Sequence, residues 1–250
     1  AAPAELASGL TVAHPEAVQR SLPGTEGFLQ AAEVELLLAE LEEADALALG
    51  PGLGLHLATQ DFVLDLLHAV ARARPGMRVV VDADALTALA HADRSGGLRW
   101  EAFATLDLLL TPHPGEAARL LRSGDAQDVQ RDRVAAWRAL VERTGAVVLL
   151  KGAGTLTGTA QDAAPHQNPT GNPGMATAGA GDVLTGLLGA LLARGMTAAD
   201  AARLGAWLHG RAGDLAAAEG SPESLIAGDL LVTLPRAWRA LGPPSSTLAS

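Results

Sequence analysis

The stretch NPTGNPGMATAGAGDVLTG, residues 168–186, holds five glycines, two prolines and one aspartate, and then runs apolar without a break. A loop that only turns has no need for so many positions without a side chain. A plain helix start has no need for Gly179-Ala180-Gly181 ahead of Asp182. The apolar run that follows, VLTGLLGALLA (183–193), is too short to span a bilayer and reads as a buried helix. Gly181 and Asp182 therefore open a helix, where the first N–H groups lack partners and the dipole favours an anion. Glycines there let a phosphate approach the backbone. Asp182 is either a carboxylate poised to act as a base beside that anion or simply the N-cap of the helix. A cap alone would not explain the glycines.

Working outward, apolar runs alternate with helical patterns. Strands are expected at LTVA (10–13), DALALG (45–50), RVVVDA (78–83), LDLLLT (106–111) and AVVLLKG (146–152). Helices are expected at 59–73, 115–123 and 128–145, and then at 182–194, 197–219 and 228–241. Repeated strand–helix–strand order predicts an α/β fold with a mostly parallel sheet and helices on both faces. No repeat or low-complexity linker divides the chain. One domain over 1–241 is expected, with 242–250 as a loose tail. Trp207 and Trp238 lie on helical faces and suit either core or interface.

Each strand ends in unusual loop chemistry: GPGLG (50–54), DADAL (82–86), TPHPGE (111–116) and KGAGT (151–155). Ligands of open parallel sheets bind at the carboxyl ends of the strands. Lys151 is the only lysine in the chain, so its place at a strand end beside Gly152 and Gly154 suggests a phosphate contact; the plain alternative is a surface lysine. Glu116 suits either a water-mediated Mg²⁺ contact or a first-turn dipole pairing. His113 suits a substrate contact or a local hydrogen bond. Asp82 and Asp84 could meet a ligand or cap the next helix, with the cap favoured for Asp84. Gly50 to Gly54 form either a close approach under a flat ligand or a strand-to-helix turn. No Walker loop or dinucleotide fingerprint is present.

Composition excludes several classes. The net charge of −10 argues against nucleic-acid binding. No membrane partner is indicated. The chain has no cysteine, which fits a reducing, cytoplasmic setting and leaves no thiolate site. The N-terminus, AAPAELASGL, carries no signal-peptide pattern and no methionine, and reads as a processed or trimmed start.

ALGPGLG, VVVDADAL, LLTPHPGEAARLL, LLKGAGT and NPTGNPGMATAGAGDVLTG, in this order, resemble the ADP-dependent NAD(P)H-hydrate dehydratases of the ribokinase-like superfamily. The resemblance covers about residues 10–240. It implies a three-layer ribokinase-like fold and a repair reaction on (S)-NADH-hydrate or (S)-NADPH-hydrate. ADP phosphorylates the ring hydroxyl, with Mg²⁺ present, and phosphate is then eliminated. It implies Asp182 as catalytic base, and Lys151, Gly152, Ala153, Gly154, Thr155, Gly179 and Gly181 as ADP contacts. Gly52, His113 and Asp182 would touch the hydrated cofactor, and Glu116 would be metal-linked through water. Homo-oligomers are common in the family. The resemblance also implies a glycine-rich first strand and helix ahead of GLTVAHPE (9–16), with its own substrate contact, and often an epimerase domain. Neither is in this sequence, so the chain is expected to be trimmed or short of part of its substrate pocket. Two other readings stay open: a small-molecule kinase of the same superfamily, and a nucleotide-binding module without catalysis.

Overall fold

The computed structural model describes residues 1–24 and 27–242. Most of the expected tail, from 243 on, lies outside the described residues. A small parallel pair, β1 (Ala2–Pro3) with β2 (Ser21–Leu22), flanks α1 (Ala4–Ala13). The strand expected at 10–13 is thus the last turn of a helix. The good helix formers before it carry the helix through LTVA, the Thr11 hydroxyl donates to the Ala7 carbonyl at 2.9 Å, and Val12 is 84% exposed, with no sheet face to cover it.

After α2 (Val34–Glu40) comes the main sheet. Strands β3 (Ala46–Leu49), β4 (Arg78–Val81), β5 (Asp107–Leu110) and β6 (Val147–Leu150) lie side by side in chain order, all parallel. The hairpin strands β7 (Leu156–Gly158) and β8 (His166–Gln167) add two antiparallel neighbours. The sheet is mostly parallel, as expected, and KGAGT is the loop of the β6–β7 hairpin.

Between the parallel strands run α3 (Leu57–Ala73), α4 (Ala83–Ser95), and then α5 (Pro114–Leu121), α6 (Ala126–Arg131) and α7 (Arg133–Thr144). The helix expected over 128–145 is broken at Asp132, whose carboxylate accepts from the Ala135 N–H at 2.9 Å and starts a new helix. Right-handed crossovers between strands in sequential order put every connecting helix on one face. The core agrees. Val79, Val81, Leu110, Val148 and Leu150 point to Phe62, Leu66, Leu86, Leu120 and Trp137 of these helices. The alternate residues, Val80, Leu109, Val147 and Leu149, point the other way. That second face is covered by α8 (Ala180–Ala193) and α9 (Ala198–Glu219), with α10 (Ala227–Arg239) outside them. Trp207 packs against this second layer, whereas Trp238 is partly exposed. Among the described residues, no helix is long and apolar enough to cross a membrane.

The loops after β3 and β4 touch backbone to backbone. Gly50 has φ +137°, and a Cβ built there would lie 1.8 Å from the Asp82 carbonyl oxygen. This close approach is therefore to the protein itself and not to a flat ligand. Gly50→Ala should destabilise the fold by about 3 kcal/mol or more, since it adds a disallowed φ to a backbone collision. Urea denaturation checks this; an unchanged midpoint would refute the packing account.

Candidate functional site

Asp82 follows β4 and is 1% exposed. Its Oδ1 accepts from Lys151 Nζ at 2.6 Å, and its Oδ2 accepts from the Thr185 hydroxyl, also at 2.6 Å. Lys151 ends β6, and its own N–H donates to the Pro112 carbonyl, which ties it to the loop after β5. Thr185 lies on α8. One buried carboxylate therefore joins two strand ends and the helix that covers the opposite face. Lys151 is not a surface lysine, and Asp82 neither caps its helix by side chain nor lines the cavity described below. Asp84, the favoured cap candidate, sits inside the first turn of α4. Its carboxylate instead accepts from the Gly54 N–H at 2.8 Å, pinning the 50–54 loop.

Glu116 lies 3.8 Å from Lys151. Its Oε2 accepts from the His113 N–H at 2.7 Å, closing a capping box at the start of α5. Burial pushes its pKa up, and the nearby Lys151 charge partly offsets that. His113 Nδ1 accepts from the Gly115 N–H at 3.0 Å, so its proton is on Nε2, 3.4 Å from Glu116 Oε1. Burial, with Lys151, lowers the His113 pKa, so this 3.4 Å contact involves a neutral ring and is not an ion pair.

The cap of α8 is Gly179 (φ +82°), not Asp182. Asp182 is in the first turn, exposed, and its carboxylate holds no hydrogen bond. The N–H groups of Gly181 and Asp182 have no partner among the described residues. A Cβ on Gly181 would stand 3.6 Å from Lys151 Nζ, in the space an anion would need. The N-terminus of α8, with two free donors, therefore lies beside the Lys151 ammonium and the Asp82 carboxylate, whose Oδ2 would be 3.8 Å from the same Cβ.

That point opens into a cavity of about 540 Å³, a size suited to a small-molecule ligand. One wall is Lys151 to Thr155, together with His113 and Gly181. The other is a strap, residues 168–176, bound to α9. Asn168 donates to the Ala206 carbonyl at 3.0 Å, Thr170 to that of Trp207 at 2.9 Å, and the Gly171 N–H to Asp214 at 3.0 Å. The structure thus brings Lys151, Gly152, Ala153, Gly154, Thr155, Gly181 and His113 together around one cavity. Gly52, Gly179, Glu116 and Asp182 are not among its walls. Gly52 is on the exposed loop after β3, two strands from β5. Thr185 and His209 are site residues that sequence spacing does not reveal. His209 lies on α9, and its Nε2 meets the Ala180 carbonyl at 2.9 Å.

Comparison with known proteins gives a consistent result. Residues 5–236 match the family model described as NAD(P)H-hydrate dehydratase. A bifunctional NAD(P)H-hydrate repair enzyme of Moorella thermoacetica is 44% identical over 239 residues, which cover 94% of this chain and 42% of that protein. An ADP-dependent (S)-NAD(P)H-hydrate dehydratase of Neisseria meningitidis is 42% identical over 77% of this chain and 62% of its own length. A solved structure of the ADP/ATP-dependent NAD(P)H-hydrate dehydratase from Bacillus subtilis was co-crystallised with ATP and Mg²⁺ and soaked with coenzyme A. It superposes with a TM-score of 0.75 at 28% identity, over 95% of this chain and 78% of that one. The chain spans less than half the length of the Moorella relative.

Asp82→Ala would strand the Lys151 ammonium and should cost about 3–5 kcal/mol. The double variant Asp82→Ala/Lys151→Met should recover part of that loss; additive losses in urea denaturation would contradict the pairing. Burial lowers the His209 pKa below its ordinary 6.5. The unfolded chain then takes up this proton first, so the stability His209 contributes is intact above about pH 6.5 and is lost as pH falls towards its folded-state value. His209→Gln should flatten the stability profile between about pH 7 and 5; an unaltered slope would exclude His209 as the source.

Proposed function

The chain belongs to the NAD(P)H-hydrate dehydratase family and has its ribokinase-like fold, and we propose that it dehydrates (S)-NADH-hydrate or (S)-NADPH-hydrate with ADP as phosphoryl donor. The observation that carries this reading is that Lys151 and Gly181, whose N–H is free, line one cavity beside the N-terminus of α8. The nucleotide would lie against Gly152, Ala153, Gly154 and Thr155, with its phosphates towards Gly181. ADP as donor, over ATP, draws support from the Neisseria relative, which is named ADP-dependent.

Mg²⁺, when bound, would offset charge on the phosphates. It keeps much of its water shell and is usually bound together with phosphates. Among the described residues, no group of three His, Asp or Glu side chains could hold it directly. Glu116 fits only the water-mediated role: one oxygen is held by the His113 N–H, and the other has only the 3.4 Å contact with the His113 ring.

Asp182 takes the proton of the ring hydroxyl as that oxygen bonds to the β-phosphorus and the bond to the bridging oxygen breaks, releasing AMP. Its exposed, uncommitted carboxylate suits this task. The Gly181 and Asp182 N–H groups and the Lys151 ammonium stabilise charge on the phosphoryl oxygens. Elimination then breaks the carbon–oxygen bond. Phosphate leaves, the neighbouring ring carbon loses a proton, and the dihydronicotinamide is restored. Gly52 and His113 would bound the substrate side of the site. The same reading places the protein in the cytoplasm and allows a homo-oligomer.

The test is to incubate the chain with hydrated NADH, Mg²⁺ and ADP and follow recovery of dihydronicotinamide absorbance. Asp182→Asn should lower turnover by about 10²-fold or more while leaving ADP affinity within about twofold. Near-normal turnover would remove Asp182 from the chemistry. A stable phosphoester in place of absorbance would make the chain a kinase.

A further inference from the structure

His209 has one ring nitrogen whose use the fold does not explain. Its Nε2 is 2.9 Å from the Ala180 carbonyl oxygen. A carbonyl only accepts, so the proton is on Nε2 and Nδ1 carries a lone pair. That Nδ1 has no partner among the described residues. The ring lines the cavity. Burial, and to a smaller extent Lys151, keeps it neutral, so the acceptor persists at neutral pH.

The other polar side chains of the strap wall are already committed. Asn168 donates to the carbonyls of Thr170 and Ala206, and its oxygen accepts from Thr170. The Thr170 hydroxyl also reaches the Trp207 carbonyl. Asn172 accepts from the Gly174 N–H and donates to Asp214. Among these side chains His209 Nδ1 is the acceptor with no partner at all among the described residues, and the ligand group it meets must be a donor.

The position of the ring selects which donor. His209 grips Ala180, the residue before Gly181, and a Cβ built on Gly181 would stand 3.6 Å from Lys151 Nζ. The ring therefore stands next to the phosphate end of the cavity. In a nucleotide, the group adjoining the phosphates is the ribose, and its hydroxyls donate. The exocyclic amine of adenine lies farther along the molecule. Resting on the nucleotide reading above, we propose that His209 is a specificity-determining residue that accepts a hydrogen bond from one ribose hydroxyl of the nucleotide and so discriminates against analogues that lack it.

The experiment is isothermal titration of the whole chain with ADP, 2′-deoxy-ADP, 3′-deoxy-ADP and inosine diphosphate. The wild-type chain should bind ADP about five- to tenfold tighter than one of the two deoxy analogues, the effect of one neutral hydrogen bond. In His209→Phe, ADP should weaken to the level of that analogue, and the analogue should hold its affinity. A purely structural role would weaken all four nucleotides alike, and that result overturns the proposal. So does equal binding of ADP and both deoxy analogues by the wild type. A penalty confined to inosine diphosphate would assign Nδ1 to the base and also overturns it. Should His209→Phe fail to fold, His209→Gln keeps a donor for Ala180. It should shift the preference between ADP and the affected analogue at least threefold; an unchanged preference counts against the proposal. Failure of the wild type to bind ADP at all would instead sink the nucleotide reading.

Discussion

A single buried carboxylate sets the geometry of the site. Asp82 meets Lys151 from β6 and Thr185 from α8, both at 2.6 Å. An unpaired carboxylate at that depth would be very costly, and so would a mostly buried ammonium. Each group therefore requires the other, and the hydroxyl fills the remaining oxygen. The consequence is positional. The first turn of α8 is drawn over the carboxyl edge of the sheet, which places Gly181 beside the ammonium. The lysine is thereby pre-positioned at the anion point with little side-chain freedom left to lose.

Much of the sheet was legible because β4 and β5 each hold three consecutive apolar residues and β6 four, as strands buried on both faces do. LTVA has the same composition but no sheet to join, and local helix propensity decided its state. Within the site, glycine and proline marked the loops correctly, because backbone geometry leaves a direct trace in sequence. Side-chain partnerships leave none. Nothing in the spacing of Asp82, Lys151 and Thr185, 69 and 103 residues apart in their two bonds, announces that they touch. Gly50 shows the converse: its glycine was visible, but its cause is another strand's backbone.

The strap also explains why the NPTGNPGM segment looked overdetermined. Asn168, Thr170 and Asn172 spend their polar groups on the strap itself and on α9. Gly174 has no room for a side chain because the Pro222 carbonyl would lie 2.2 Å from its Cβ. These residues build a rigid wall and leave recognition to the few groups still free. Binding at such a wall forgoes the entropy cost of ordering a loop.

The sequential strand order has a consequence during synthesis. All the helices that connect the parallel strands cover one face, and the cover for the other face comes from α8 and α9, later in the chain. A nascent chain that has emerged through β6 can build one half of its core, while Val80, Leu109 and Leu149 still face water. Until the last third leaves the ribosome, the molecule is a half-sandwich with a sticky underside. It is in that interval, and not in the finished fold, that a chaperone would find the most to hold.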